Sequence, residues 1–171
     1  RSLKIIEVGN PWGEYYADNP NTIPPLIYMD MVVQSGINFD AFGLQMCFGK
    51  NRPGMYVRDM MHISSILDYF LPIAKPMYIT GVEVPSRTSQ KDTKKAGGSW
   101  HQGWSQRQQS QWIEQFYKIA LSKPFVDSVI YSNLADSQNS VIADSGLLNQ
   151  QLEEKESFRA LKKLQEVIFV R

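Results

Sequence analysis

Short apolar segments alternate along the chain with longer segments whose apolar residues recur every three or four positions. The short segments are rich in β-branched and aromatic residues and are bounded by Gly, Pro or Asn, which is typical of buried strands. They cover residues 3–8, 39–44, 76–84 and 125–131. Because they are apolar at almost every position, they indicate parallel strands that are covered on both faces.

The longer segments predict four helices, one after each strand. They cover residues 24–35, 57–71, 105–121 and 152–168. Their apolar stripes, in which Trp112 lies, are expected to face the core. Pro24 and Pro25 suit the first turn of the first helix and Gly36 suits its end, while Ser105 is a candidate N-cap of the third helix.

The order β-α-β-α-β-α-β-α predicts an α/β fold with a parallel sheet and right-handed crossovers. A small open doubly wound sheet and four units of a (β/α)₈ TIM barrel both fit this order. The turn after the first strand, residues 9–14, reads GNPWGE and is no G-x-G-x-x-G phosphate loop, which favours the barrel. A complete barrel needs about 200 to 250 residues, so 171 residues correspond to part of one.

Composition narrows the possible functions further. The chain has 43% hydrophobic residues and a formal net charge of +1. This small net charge gives no electrostatic footprint for nucleic acid. The basic run from Lys91 to Lys95 is expected to be a solvated loop, and no apolar run approaches the ~18 residues of a membrane helix. Cys47 is the single cysteine, and the two histidines lack metal-ligand spacing, so we expect no metal and no cofactor. The chain opens at Arg1 inside an apolar pattern without a signal peptide, as expected of a processed or excised piece.

The predicted strand ends carry a polar, amide-rich and aromatic set of residues. In parallel α/β folds ligands bind at these ends, and sugar sites combine aromatic rings with amides and carboxylates. The set comprises Asn10, Trp12, Glu14, Gln45, Cys47, Thr80, Gly81, Glu83, Ser132, Asn133 and Asp136. The loop after the third strand adds Trp100 and Trp104, which we expect to be exposed, with stacking on a sugar and plain packing both open. Trp12 could equally be core, and Glu14 and Glu83 could be surface ion-pair residues.

Four of these regions resemble motifs of the family 10 glycoside hydrolases, the endo-β-1,4-xylanase family. Residues 42–46 (FGLQM) resemble the sixth-strand motif G-I-G-L-Q-x-H, and residues 77–84 (MYITGVEV) resemble the seventh-strand motif I-T-E-L-D-V. Residues 129–136 (VIYSNLAD) resemble the eighth-strand motif V-x-W-G-L-x-D. Residues 145–148 with Lys155 and residues 158–161 resemble the terminal G-L-L and K-P-A-x-x-A-L pattern. The motifs occur in the family's order over residues 39–165.

The resemblance implies a (β/α)₈ barrel that cleaves β-1,4-xylan with retention, which requires two carboxyl groups ~5 to 5.5 Å apart. The family's acid/base closes the fourth strand, and this chain begins near the fifth. The nucleophile position is Gly81, the position of the histidine beside it is Cys47, and that of the stacking tryptophan is Ser132. Engineering could explain Gly81, but three coupled departures favour natural divergence. Glu83 lies about 6.6 to 6.8 Å further along the strand and cannot replace the nucleophile.

Residues 1–171 are therefore interpreted as the C-terminal half of a glycoside-hydrolase-like barrel that binds carbohydrate and is not hydrolytic by itself. The alternatives are half of an active or engineered retaining endo-β-1,4-xylanase, and a four-unit piece held together by self-association. The residues expected to bind substrate are Gln45, Thr80, Glu83, Trp12, Glu14, Trp100, Trp104 and Asn133. The expected partners are a β-linked polysaccharide or oligosaccharide, and an N-terminal half-barrel or a second copy of the chain. Family analogy implies a secreted or periplasmic protein.

An open half-barrel has a predictable weakness. Two strand edges would lack partners, and the face that lines the barrel would meet water. We expect that face to carry Phe42, Leu44, Ile79 and Ile130. Exposing such side chains costs about 1.5 to 3 kcal/mol each, so a well-folded monomer of this geometry is not expected.

Overall fold

A computed structural model describes residues 2–17, 19–88 and 97–169, and it contains a four-stranded sheet. Neighbouring strands are parallel throughout, and they lie in the sheet in the same order as along the chain. The strands are β1 Ile5–Val8, β2 Ala41–Cys47, β3 Met77–Glu83 and β4 Val126–Tyr131. The predicted α/β class and strand positions are confirmed.

The predicted helices are present, with ends shifted by a few residues. They are α2 Pro25–Gln34, α3 Met60–Tyr69, α4 Gln106–Ser122 and α5 Glu156–Phe169. Pro25 occupies the first turn of α2, and Gly36 just beyond it has a positive φ of 74°, a conformation in which glycine ends helices without strain. Ser105 caps α4 by accepting a hydrogen bond from the Gln108 N–H (3.2 Å), as predicted. A short helix α1, Glu14–Ala17, and a 3₁₀ turn, Leu71–Ile73, were not predicted.

The hydrophobic core lies between the sheet and the helices. Phe42, Leu44 and Ile79 project from the strands into this layer and are fully buried. Trp112 of α4 stacks on Phe116, with the ring planes 14° apart and the centroids separated by 4.9 Å. Trp112 is thus a core residue, as its helical stripe predicted.

The other face of the sheet has no covering layer among the described residues. It presents Ile5, Glu7, Gln45 and Ile130, all of them exposed. Of the four residues expected on this face, only Ile130 lies there, so the assignment of Phe42, Leu44 and Ile79 was wrong. Because these strands are apolar at nearly every position, the sequence does not show which alternate set faces the helices.

Two irregularities in the strand register shape the carboxyl ends of the sheet. One lies between Leu44 and Gln45, and the other between Ile79 and Val82. The first of them places Gly81 opposite Gln45. A bulge re-aims side chains beside it, so the residues that follow cannot be assigned to a face by simple alternation.

Candidate functional site

Gly81 occupies the position that aligns with the nucleophile of family 10, and it is buried near the carboxyl end of β3. A Cβ added to it would lie 2.9 Å from Ser132 Oγ and 3.7 Å from Gln45 Cγ. Three of the predicted strand-end residues therefore meet at one point. Glycine has no side chain that could attack an anomeric carbon, so this point offers hydrogen-bonding groups without a nucleophile.

Thr80 lies beside this point and is bound to a strand residue far away in the chain. Its Oγ1 donates to Glu7 Oε1 (2.5 Å) and lies 3.2 Å from the Leu44 carbonyl oxygen. The Glu7 side chain crosses Gly43 to reach it, and a Cβ at Gly43 would come within 2.1 Å of Glu7 Oε2. The glycine in β2 therefore permits a link between β1 and β3.

Glu83 is buried and holds the turn formed by residues 140–145. Its Oε2 accepts hydrogen bonds from the Ile142 N–H (3.1 Å) and Ser145 Oγ (3.3 Å). Asn133 Nδ2 donates to Ser145 Oγ at 2.9 Å. Burial raises the pKa of Glu83, although these hydrogen bonds oppose the shift. The carboxyl of Glu83 is thus engaged within the protein and does not face an open site.

A buried ion pair continues this arrangement towards α5. Lys155 Nζ donates to Asp136 Oδ1 at 2.7 Å, and the two side chains are 3% and 9% exposed. Lys155 also donates to Ser86 Oγ (3.0 Å), and Asp136 accepts from the Gly146 N–H (2.8 Å).

Gln109 of α4 connects the same segments. It is fully buried, and its Nε2 donates to the carbonyl oxygens of Val84 (3.0 Å) and Ser145 (3.1 Å). Its Oε1 accepts from Ser157 Oγ at 2.9 Å. We call Glu83, Gln109, Asp136, Ser145 and Lys155 the closing network, because they fasten the segment after β4 over the ends of β3 and β4. Gln109 was not recognised in the sequence, since nothing in a helical stripe marks a glutamine as buried.

Trp12 and Glu14 stabilise the first strand end. Trp12 is buried and packs edge-on against Phe48, and the Arg58 guanidinium lies 4.8 Å from its ring centroid. Arg58 forms an ion pair with Glu14, which also accepts a hydrogen bond from the Gly54 N–H (3.3 Å). Of the two alternatives that the sequence left open, these contacts correspond to packing for Trp12 and to an ion pair for Glu14.

The two loop tryptophans are buried, so the expectation that they are exposed was wrong. Trp100 and Trp104 are each 5% exposed and belong to the core cluster. Trp104 Nε1 donates to the Gly98 carbonyl oxygen at 3.2 Å. The polar residues around them in the sequence suggested solvent exposure, but the loop turns its rings inward, because burying an indole removes a large apolar area from water. The run from Lys91 to Lys95 lies outside the described residues.

Cys47 is the only cysteine of the chain and ends β2. Burial, followed by the nearby Glu83 carboxylate, raises the pKa of its thiol to about 12. The thiol therefore stays protonated near neutral pH and is not a nucleophile.

An open cleft lies at the ends of β1 and β2. It has a volume of about 470 Å³ and is lined by Gly9, Asn10, Tyr15, Tyr16, Gln45, Arg52 and Met55. Tyr15 is 44% exposed and meets Tyr16 edge-on at 5.0 Å. The Tyr16 hydroxyl donates to the Asn10 carbonyl oxygen at 2.6 Å, which fixes its ring. We call this the tyrosine cleft. Gln45 was predicted as a site residue, whereas Tyr15, Tyr16 and Arg52 were missed, although two aromatics just after a strand end were a usable signal.

A second cleft of about 290 Å³ lies beyond the β2–α3 loop. Its lining comprises Gly49, Lys50, Pro85, Arg87, Trp104 and residues 140–144. Within the described part of the chain, no cluster of three or more potential metal ligands occurs, and no helix is long and apolar enough to cross a membrane.

No family model matches this chain, and no curated protein matches it. Solved structures do. The glycoside hydrolase family 10 protein from Paenibacillus barcinonensis is 14% identical over 99% of this chain and 48% of its own, with a TM-score of 0.62. Xylanase 10B from Thermotoga petrophila, in complex with xylobiose, is 17% identical over 82% of this chain and 40% of its own, with a TM-score of 0.58.

A mutant of the intracellular xylanase from Thermoanaerobacterium saccharolyticum, in complex with xylotetraose, gives a TM-score of 0.57. It is 13% identical over 91% of this chain and 43% of its own. The chain has the fold of part of a family 10 xylanase barrel. The chain spans less than half of the length of the xylanases it matches, and the likeness confirms the predicted resemblance at the level of the fold.

Proposed function

We propose that the half-barrel binds a β-linked oligosaccharide in the tyrosine cleft and does not hydrolyse it by itself. The observation that carries this proposal is the contrast between an open aromatic and amide-lined cleft and a nucleophile position occupied by glycine. The similar xylanases that were crystallised with xylobiose and xylotetraose support the choice of xylo-oligosaccharides as the first ligands to test.

The cleft offers the groups that bind sugars in proteins. The exposed ring of Tyr15 can pack against the apolar face of a pyranose. The amide of Gln45 can donate to and accept from hydroxyl groups, and Arg52 supplies further donors. None of these three side chains has a hydrogen-bond or ion-pair partner among the described residues, so each is available to a ligand.

The absence of hydrolysis follows from the carboxyl groups near the strand ends. A retaining mechanism needs a nucleophile and an acid/base ~5 to 5.5 Å apart. Glu83 is engaged by the 140–145 turn and Glu14 by Arg58, while Glu7 is bonded to Thr80. None of the three stands free at the position of Gly81.

Calorimetric titration with xylotetraose tests the binding proposal. We expect Tyr15→Ala to weaken binding about tenfold through lost stacking, and Gln45→Ala to weaken it about fivefold through lost hydrogen bonds. Tyr69→Ala is the matched control, because Tyr69 is 55% exposed and lies at the end of α3, away from the cleft. Equal affinity of the wild type and the three variants would show that the sugar does not bind in the tyrosine cleft. Turnover of xylan or aryl xylosides by the isolated chain would overturn the non-hydrolytic part.

A second candidate function is half of a retaining β-1,4-xylanase that another half-barrel completes. It is favoured by the uncovered sheet face and by the match to less than half of complete xylanases. Gly81→Glu supplies the missing carboxylate, and the exposed Ser132 hydroxyl must rotate away to admit it. Xylanase activity of the unchanged chain with an added N-terminal half-barrel would establish this candidate, whereas activity that also needs Gly81→Glu would restrict it to an engineered enzyme.

The uncovered face also supports a partner, either an N-terminal half-barrel or a second copy of the chain. Besides the sheet face, Ile27 and Met31 of α2 are more than half exposed, although both are large and apolar. Sedimentation tests this proposal, since a compact monomer near 19.6 kDa that melts cooperatively would contradict it.

By analogy with the family we also propose a secreted or periplasmic location, to be tested by fractionation, although one of the similar xylanases is described as intracellular.

A further inference from the structure

The second cleft lies apart from the tyrosine cleft, on the other side of the β2–α3 loop. Its lining includes Lys50, and Pro85 and Trp104 form an apolar wall. At about 290 Å³ it lies at the small end of ligand pockets, so it suits one sugar residue rather than a chain.

The charges in this cleft favour an anion. Arg87 Nε donates to Asp144 Oδ2 at 2.5 Å, so these two groups offset each other. The Lys50 side chain has no hydrogen-bond or ion-pair partner within the residues that the structure describes. The three charged side chains of the lining therefore leave one positive charge that is free to meet a ligand.

Several polar groups in the 140–144 turn also lack partners among the described residues. Ser140 Oγ is buried and makes no hydrogen bond in the described part of the chain. The backbone N–H groups of Val141, Ala143 and Asp144 likewise donate to no described residue, while the Ile142 N–H is held by Glu83. Buried polar atoms are nearly always hydrogen-bonded, so an unpaired hydroxyl next to a cleft points to a partner that the described residues do not supply.

We propose that this cleft binds a sugar that bears a carboxylate, that is, a hexuronic acid residue. The carboxylate lies at Lys50 and the unpaired donors of the 140–144 turn, and the ring lies against Trp104 and Pro85. A small inorganic anion would use only the position of the carboxylate and would leave Trp104 and Pro85 without a contact. The inference goes beyond the proposed xylo-oligosaccharide binding, because a different cleft and a different ligand chemistry carry it.

The test compares two ligands that differ only in the carboxylate, methyl β-D-glucuronide and methyl β-D-glucoside. Each is titrated into the ¹⁵N-labelled 171-residue chain while the amide resonances of Val141, Ala143 and Asp144 are followed. We expect the glucuronide to bind at least tenfold more tightly, and its affinity to fall with added salt. Lys50→Gln should reduce the ratio of the two affinities to about one. Ser140→Ala should weaken glucuronide binding several-fold, and the exposed Lys162→Gln serves as the control.

Three results would overturn the inference. They are equal affinity for the two glycosides, a ratio that survives both Lys50→Gln and Ser140→Ala, and equal shifts of the same amides with acetate or phosphate. Titration of the same samples with xylotetraose reports on the tyrosine cleft. Failure of the glucuronide to bind therefore remains distinguishable from failure of the proposed function.

Discussion

The polar residues at the carboxyl ends of β3 and β4 differ in their contacts from those at the carboxyl ends of β1 and β2. At the ends of β3 and β4, the closing network joins carboxylate, amide and ammonium groups to one another inside the protein. At the ends of β1 and β2, the polar side chains of Gln45 and Arg52 line an open cleft beside an exposed tyrosine. The same kinds of residue therefore stabilise the fold on one side and remain available to a ligand on the other.

This contrast shows why polar residues at strand ends are not by themselves a binding site. Glu83 and Asn133 resemble site residues in the sequence, yet in the structure both fasten the 140–145 turn. A buried polar group is costly unless it is paired, so a segment that closes over a strand end brings partners with it. Changes on the closed side should therefore affect stability, and changes on the open side should affect binding.

The largest expected effect comes from breaking the buried ion pair. Lys155→Met leaves the Asp136 carboxylate buried without its partner, which should lower the free energy of unfolding by about 4 kcal/mol. Urea denaturation measures the loss. The control is Lys162→Met on the exposed side of α5, the helix that begins directly after Lys155, and it should change stability by less than about 0.5 kcal/mol. Equal losses in the two variants would contradict a closing role for Lys155.

Removal of a loop tryptophan should have the next largest effect. Trp104→Ala deletes a ring that is 5% exposed, and we expect it to lower the free energy of unfolding by about 3 kcal/mol through the cavity it leaves. At temperatures where the variant remains folded, xylotetraose affinity should be unchanged, because Trp104 does not line the tyrosine cleft. A variant of normal stability with lost xylotetraose binding would restore the stacking role that the sequence suggested.

The smallest expected effect is a change in the dependence of stability on pH. Burial raises the pKa of Glu83, so the folded chain holds this proton more tightly than the unfolded chain. The contribution of Glu83 to stability must then fall as the pH rises from its ordinary pKa of 4.5 to its raised value. Glu83→Gln removes this pH-dependent contribution. The free energy of unfolding of the variant, relative to that of the wild type, should therefore increase as the pH rises over that interval. Denaturation curves at several pH values measure the difference, and a difference that is independent of pH would contradict a raised pKa.

The sequence alone determined the order and kind of the main elements. Apolar segments bounded by turn residues predicted all four strands, and helical periodicity with Ser105, Pro25 and Gly36 predicted the main helices. These features depend on residues close together in the chain, which is why they are readable without the fold. The motifs around Gln45, Gly81 and Asn133 likewise predicted the barrel resemblance that the solved structures confirm at the level of the fold.

Only the tertiary structure decided which of these residues are buried and which are exposed. Phe42 and Gly43 are neighbours in an apolar strand, yet Phe42 lies in the core under the helices, whereas Gly43 lies on the other face beside Glu7 and Thr80. Glu83 is engaged because Ile142 and Ser145, some sixty residues later, lie against it. Trp104 is buried because its loop packs on a core assembled from distant segments. Exposure depends on such long-range contacts, and the local pattern of the sequence does not contain them.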